Sequence, residues 1–380
     1  MLIEDVLGLS HIKNHLTTTV DRGRIPHAQM FVGKFGSGTL PMAIAYAQYI
    51  LCQNQNGDNS KKNACTIKCN QLTHPDLHFA YPVATTPEVK KHPVSSHFAV
   101  QWRNFVKRNP YATLYDWYQY LQIENKQGQI GVDEAAEIVK KLALKSYEGH
   151  YKIMIIWCAD KMNIACANKL LKLIEEPPSR TLFILITEEE NALLQTIQSR
   201  CQIVKFPPLS ESAIGAGLKK TFDISASEAQ IIAHKAEGSF TRALDLYTQK
   251  EENDYFEGLF IDWLRTAFKA KGNKTAVNDL LVWSEKVAGM GREAQKQFLH
   301  FGLSFCRQAL LQNYGADGLV FYESKNANFS LEKFAPFVHG ANIIPIVQLF
   351  EEGIYHVERN GNAKILFSDI SIRMTKLLHQ

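Results

Sequence analysis

No run of about 18 apolar residues occurs in the 380-residue chain, so no segment reads as a membrane-spanning helix. The N-terminus lacks a basic flank followed by an apolar signal core. The expected location is therefore the cytoplasm, with no membrane partner. Charge of one sign is missing too: 42 Lys and Arg against 38 Asp and Glu leave a formal net charge of +4, which by itself does not argue for nucleic acid. Cysteine is sparse. Of the seven present, Cys158, Cys166 and Cys306 lie in apolar or helical stretches, which fits reduced cytosolic thiols better than a disulfide framework. A content of 46% hydrophobic and 21% charged residues excludes disorder, and the length exceeds one core and implies two or three domains.

Up to about residue 207 the chain alternates strand and helix. Apolar runs at Met30 to Val32, Ile153 to Trp157, Leu182 to Ile186 and Ile203 to Phe206 are separated by helical patterns at Leu40 to Leu51, Asp133 to Leu144 and Ile164 to Ile174. Continuous apolar strands between helices predict a doubly wound parallel sheet covered on both faces. Pro207-Pro208 closes that domain, and three short helices follow to about residue 250, near Ser210, Ser225 and Ser239, each Ser a candidate N-cap. Residues 251–380 read as helix throughout, with apolar three- and four-residue spacing in Phe298 to Leu311, Ile343 to Val357 and Ala363 to Leu378. Two segments interrupt the first domain. Residues 53–63 are polar and read as a mobile loop. The insertion 82–130 interleaves Trp102, Phe105, Tyr111, Tyr115, Trp117, Tyr118 and Tyr120 with Arg103, Lys107 and Arg108. It could stack on nucleic acid, but packing as amphipathic helices onto the domain is the preferred reading.

The chemistry lies in what two motifs have lost. Phe31 to Leu40 has the apolar entry and the glycine spacing, Gly33, Gly36 and Gly38, of a phosphate-binding loop that opens a helix. A working loop places Lys after the last glycine and Ser or Thr after the Lys, for the phosphates and Mg²⁺. Thr39 and Leu40 stand there instead, so this segment is either a degenerate P-loop or a chance glycine-rich turn. A P-loop ATPase also needs an apolar strand ending in Asp-Glu. The strand Lys152 to Ile156 continues into Trp157 and Cys158, and the nearby Asp160 reads as the cap of the next helix.

Downstream, Ala167 to Glu176 followed by Pro177-Pro178, then the strand Leu182 to Thr187, then Ser199-Arg200-Cys201, resemble the bacterial clamp-loader family of AAA+ proteins. Arg24 to Ala28, His74-Pro75-Asp76 and Asn362 to Leu366 are similar to it as well. The resemblance implies an AAA+ domain over 1–207, a three-helix lid over 208–250 and an all-α collar over 251–380. It also implies a subunit without catalysis of its own inside a DNA polymerase holoenzyme. In such a subunit the Arg of Ser-Arg-Cys, here Arg200 supported by Ser199 and Cys201, enters the ATP site of the neighbouring subunit as an arginine finger. Read as a residue alone, Arg200 would be a surface cation paired with Glu188, Glu189 or Glu190. Thr187 stands at the family's first sensor position and reads as structural. Thr241 takes the place of the second-sensor Arg, and Arg242, one residue late, is turned about 100° away.

The resemblance further implies no nucleotide at Gly33, Gly36, Gly38 and Thr39, ATP-Mg held by a neighbour, and clamp-loader gamma/tau and delta subunits as partners, with the sliding clamp and primed DNA reached through them. Family members also carry a four-cysteine zinc module. Cys52, Cys65 and Cys69, with His74 as a fourth ligand, could bind zinc, but the altered spacing favours a decayed module without metal. Two rivals stand: an ATPase in which Lys34 or Lys152 replaces the lost Lys, and a DNA-binding module built on the 82–130 insertion.

Overall fold

In the computed structural model, which describes residues 1–53, 59–123, 126–147, 151–248, 250–320, 322, 324, 326 and 328–379, five short strands form one sheet. They are β1 (Ala28–Val32), β2 (Leu77–Ala80), β3 (Lys152–Ile156), β4 (Thr181–Thr187) and β5 (Gln202–Lys205). All pairings are parallel, in the order β2-β3-β4-β1-β5, with Met30 of β1 opposite Leu185 of β4 and Ile203 of β5.

Parallel strands need crossover connections, and helices supply them on both faces. The N-terminal helix α1 (Ser10–Asp21) precedes β1, which runs into α2 (Thr39–Gln53) and α3 (Asn59–Asn70). After β2 come α4 (Ala99–Arg108), α5 (Leu114–Tyr120) and α6 (Val132–Ala143); α7 (Ile164–Glu175) joins β3 to β4, and the short α8 (Gln195–Gln198) precedes β5. Alternate residues of β3 enter different cores. Ile153 and Ile155 pack with Met42, Tyr46 and Ile50 of α2, whereas Met154 and Ile156 pack with Ile138 of α6 and Leu170 of α7. Each such buried aliphatic side chain stabilises the layer by roughly 1.5–3 kcal/mol. Lys152 spends its ammonium on the carbonyls of Leu142 and Leu144, the latter at 2.7 Å.

The chain divides into two compact units, Met1–Asp245 and Leu246–Gln380. The helices after Pro208 are α9 (Glu211–Thr221), α10 (Ala226–Lys235) and α11 (Phe240–Thr248). Ser210 and Ser225 cap the first two through the N–H groups of Ala213 and Glu228. The second unit contains α12 (Lys250–Lys269), α13 (Lys274–Ala288), α14 (Arg292–Asn313), α15 (Leu331–Phe334), α16 (Ile343–Glu358) and α17 (Ala363–Leu377), and no strand among the described residues. Its core centres on Phe260, Trp263, Phe298 and Phe350, with Trp263 and Trp283 stacked at 4.8 Å.

Two expectations need correction. Of the expected loop 53–63, residue 53 is the end of α2 and residues 59–63 are the start of α3, a helix that buries Cys65 and Cys69; residues 54–58 lie outside the described residues. β2 was not anticipated, because a four-residue strand containing His78 carries too short an apolar signal. Of the insertion aromatics, Trp102, Phe105, Tyr111 and Trp117 are core, Tyr115 and Tyr118 are partly buried and Tyr120 is exposed. Trp102 and Trp117 are buried, Tyr81 stacks on Trp102 at 4.1 Å, and Trp117 donates its indole N–H to the Pro82 carbonyl at 2.9 Å.

Candidate functional site

Loops at the carboxyl ends of β1, β3 and β4 converge where an open parallel sheet ordinarily receives a ligand. The loop Gly33 to Gly38 leaves β1 and is tied to β4 by the Gly33 N–H, which donates to the Thr187 carbonyl at 3.1 Å. Phe35 N–H donates to a carboxylate oxygen of Glu188 at 2.9 Å. An N–H that would face a phosphate in a working loop is thus engaged by the protein's own anion.

The start of α11 presses on the same loop. Gly36 has φ +82°, and a Cβ there would meet Ser239 Oγ at 2.1 Å and the Phe240 and Thr241 nitrogens at 3.0 Å. Ser239 Oγ donates to the Phe35 carbonyl at 3.0 Å, and Phe240 N–H donates to the Gly36 carbonyl at 3.0 Å. Tyr111 from the insertion completes the wall: its hydroxyl accepts from Leu7 N–H at 2.8 Å and its ring meets Phe240 edge-on at 5.0 Å. Gly38, with φ +96°, abuts Leu9 and Tyr111, and Thr39 and Leu40 are buried at the start of α2. Ser37 Oγ is buried with no hydrogen-bond partner among the described residues. Neither candidate replacement lysine serves the loop. Lys34 is paired with Glu189 at 3.2 Å on the surface, and Lys152 is held by carbonyls at the far end of β3.

Past β3, Trp157 is buried, and its ring meets Phe35 of the loop at 6.0 Å and Trp102 of the insertion at 5.2 Å. Cys158 follows with φ +53°, and burial pushes its thiol well above the ordinary range, so it is a neutral group where an ATPase needs a carboxylate. Asp160 does not cap α7. It lies in a 3₁₀ turn, paired with Lys161 at 2.9 Å, and Asn163 is the cap, accepting from Cys166 N–H at 2.8 Å. Thr187 Oγ lies 3.3 Å from Asp160 and 3.0 Å from the Glu189 carbonyl, holding the strand end. Thr241 Oγ bonds the Tyr111 carbonyl, and Arg242 pairs with Glu237 at 2.6 Å on the surface. The loop's Phe35 N–H already carries a carboxylate, and Thr39 and Leu40 stand where a working loop has its phosphate-binding Lys and metal-ligating hydroxyl. Like unit charges 4 Å apart cost about 4 kcal/mol at an effective dielectric of 20.

Arg200 stands apart from this closed cleft. Ser199 ends α8, with its Oγ on the Thr196 carbonyl at 3.2 Å, and Cys201 leads into β5 with its thiol pushed up to about 11 by burial. The Arg200 guanidinium donates through Nη1 to the Thr196 carbonyl at 2.8 Å and through Nη2 to Glu175 at 3.0 Å; its buried Nε has no partner among the described residues. The expected partners are otherwise engaged: Glu188 with Phe35, Glu189 with Lys34 and Glu190 with Lys205 at 3.1 Å. Glu175 is the last residue of α7, where the helix dipole also favours a cation and where Pro177 and Pro178 stop the helix. The Glu-Glu-Pro-Pro and Ser-Arg-Cys motifs therefore touch. Nothing in the local sequence signals that contact, which spans 25 residues and an intervening strand.

The structure brings Cys52, Cys65 and Cys69 together, buried and with sulfurs within 4.8 Å of one another, but His74 is not a member of that cluster. Cys52 and Cys65 form a disulfide, their Cα atoms 5.7 Å apart, which corrects the expectation of reduced thiols at these two positions. The other five cysteines are thiols outside any disulfide, and Cys69 Sγ lies 3.9 Å from Cys52 Sγ. His74 is instead turned toward its own chain, its Nδ1 accepting from Asp76 N–H at 3.2 Å. One thiol and a disulfide do not make the tetrahedral thiolate set that structural zinc requires.

A five-stranded parallel sheet in this order, with a glycine loop after β1 and a helical cap after β5, defines an α/β domain of the AAA+ class, followed by an all-helical unit. The family profile described as "DNA polymerase III, delta subunit" matches residues 8–210, more than half of the chain, and the chain belongs to that family. It is similar to the DNA polymerase III subunit delta' of Bacillus subtilis (strain 168), at 30% identity over 219 residues, 58% of this chain and 53% of the relative. Similarity to the Escherichia coli (strain K12) subunit delta' is 24% over 302 residues, covering 79% and 75%. The B. subtilis subunit tau is 26% identical over 251 residues, 65% of this chain and 37% of tau. The chain thus spans about half the length of the first of these relatives and about a third of tau. Among solved structures, a DNA polymerase III gamma-subunit-related protein of Thermotoga maritima is similar over 96% of this chain and 99% of its own, at 15% identity and a TM-score of 0.43. Among the described residues, no helix is long and apolar enough to cross a membrane.

Proposed function

We propose that this chain acts in the cytoplasm as a non-hydrolysing, delta-prime-type subunit of a DNA polymerase III clamp loader. It would assemble with gamma/tau and delta subunits and help place the sliding clamp on primed DNA. The observation that carries the reading is a contrast. The loop that would bind ATP in cis is held by Glu188 and pressed by α11, whereas the partly exposed Arg200 fork, just past the end of α8, is paired among the described residues with Glu175 and the Thr196 carbonyl.

In the assembled ring, the neighbour's γ-phosphate would take the place of Glu175 on Nη2. A planar, permanently charged fork is suited to that exchange, because it meets phosphate oxygens with two parallel N–H groups. Arginine fingers of this kind accelerate hydrolysis by about 10³–10⁵ at the site they serve. The domain 1–207 and the lid 208–250 would serve as a rigid wall, and the helices of 251–380 as the collar through which the subunits associate.

The two rival readings lose support from the same geometry: Lys34 and Lys152 are committed elsewhere, and the insertion's two tryptophans are buried where no base can stack. Reconstitution with gamma/tau and delta subunits tests the proposal. Arg200→Ala should leave assembly intact by gel filtration and lower DNA-stimulated ATPase; unchanged ATPase would sink it.

A further inference from the structure

In the second unit, α12 carries Ile261, Leu264, Arg265, Phe268 and Lys269 along one stripe, at three- and four-residue spacing. Against it lies the segment from Asn328 through α15 to Phe337, and between them is a cavity of about 310 Å³. Its apolar lining is aliphatic at Ile261, Leu264 and Leu378 and aromatic at Phe268, Phe329, Phe334 and Phe337. Phe268 is 42% exposed, with His379 stacked on its ring at 4.6 Å and Phe337 edge-on at 4.9 Å.

Among the described residues, the charge that lines this groove has one sign. The charged side chains that line it are Arg265, Lys269 and Lys333, and among the described residues neither lysine is in an ion pair. Arg265 is fixed on the rim by donating through Nη2 to the Asn328 carbonyl at 2.7 Å, which leaves its other N–H groups for a ligand. Cations on two separate elements, around an apolar slot large enough for one or two big side chains, match an acidic chain better than a single carboxylate.

We propose that this groove is a docking site for a short acidic segment of a partner protein, which inserts a large apolar side chain between Phe268 and Phe334 and sets its carboxylates on Arg265, Lys269 and Lys333. The site does not depend on Arg200 or on the nucleotide cleft, so it stands or falls separately from the proposed function.

The test is fluorescence anisotropy of the full chain with a fluorescein-labelled peptide, SDEDLFDEG. Saturable binding is expected, weakened about tenfold or more in the doubly charge-reversed Lys269→Glu, Lys333→Glu chain, and lost when the central LF of the peptide is replaced by SS. Both lysines are exposed, so circular dichroism should confirm an unchanged fold, and the reversed peptide SKRKLFKRG should bind the charge-reversed chain better than the native one. No saturable binding up to about 1 mM would overturn the proposal. So would equal binding by the charge-reversed chain, equal binding of the SS peptide, competition by dodecanoate at the peptide's own affinity, or a self-association that the charge reversal abolishes.

Discussion

Replacing Gly36 by Ala tests whether α11 closes the phosphate loop, and its cost can be worked out from the geometry. A φ of +82° costs a residue with a Cβ about 1–2 kcal/mol. The new methyl would stand 2.1 Å from Ser239 Oγ, so the hydroxyl must leave and its bond to the Phe35 carbonyl is lost, a further ~1 kcal/mol. The Phe240 and Thr241 nitrogens, both 3.0 Å away, are backbone at the start of a helix and cannot rotate aside. We expect Gly36→Ala to destabilise the first unit by about 2–4 kcal/mol, lowering its melting temperature by roughly 5–12 °C for a unit of this size. Ser239→Ala alone should cost about 1 kcal/mol. The double substitution should cost less than the two combined by about 1 kcal/mol, because the worst overlap has been removed. Calorimetry of the four chains measures the cycle. A Gly36→Ala cost within about 0.5 kcal/mol of zero, or strict additivity, would refute the closed loop.

Other consequences follow from single side chains. Burial lowers His78 from 6.5 to about 4, so the unfolded chain takes up its proton first; stability is full above pH 6.5 and is lost as pH falls toward 4. His78→Gln should flatten the acid limb of the unfolding free energy by about 2–3 kcal/mol between pH 7 and pH 4, measured by urea titration, and an unchanged slope would count against it. Thiol titration of the chain, purified without reductant and then unfolded, should count five thiols and release no zinc; seven thiols with one zinc would contradict the Cys52–Cys65 pairing. Glu175→Gln removes the charge opposite an arginine fork that is partly exposed, so stability should move by less than about 1 kcal/mol. If Glu175 only parks Arg200, the same variant should keep its ATPase stimulation in a reconstituted assembly.

The sheet was legible wherever burial on both faces left an uninterrupted apolar run, as in Ile153 to Ile156 and Leu182 to Ile186, and α9 and α10 where a Ser cap preceded the helix, whereas the cap of α7 was misread as Asp160. β2 escaped because four residues with His78 among them carry no period. At the site, the substitutions Thr39, Leu40, Trp157 and Cys158 could be read directly, because a missing cation or carboxylate is visible in the chain itself. What replaced them could not. Glu188 on Phe35 N–H, Ser239 on the Phe35 carbonyl and Arg200 on Glu175 join residues 153, 204 and 25 positions apart, and no local pattern encodes such pairings. The cysteines mislead for a related reason: composition speaks for a compartment, whereas a disulfide depends on two helices bringing Cys52 and Cys65 within bonding distance.

The most direct test of the central claim is single-turnover ATP hydrolysis in a reconstituted clamp loader in which every ATPase site except the one adjoining this chain has been inactivated. The account predicts that Arg200→Ala slows that one turnover by about 10³ or more while ATP still binds there, and that Arg200→Lys restores little of it. A turnover rate unchanged by Arg200→Ala would contradict it.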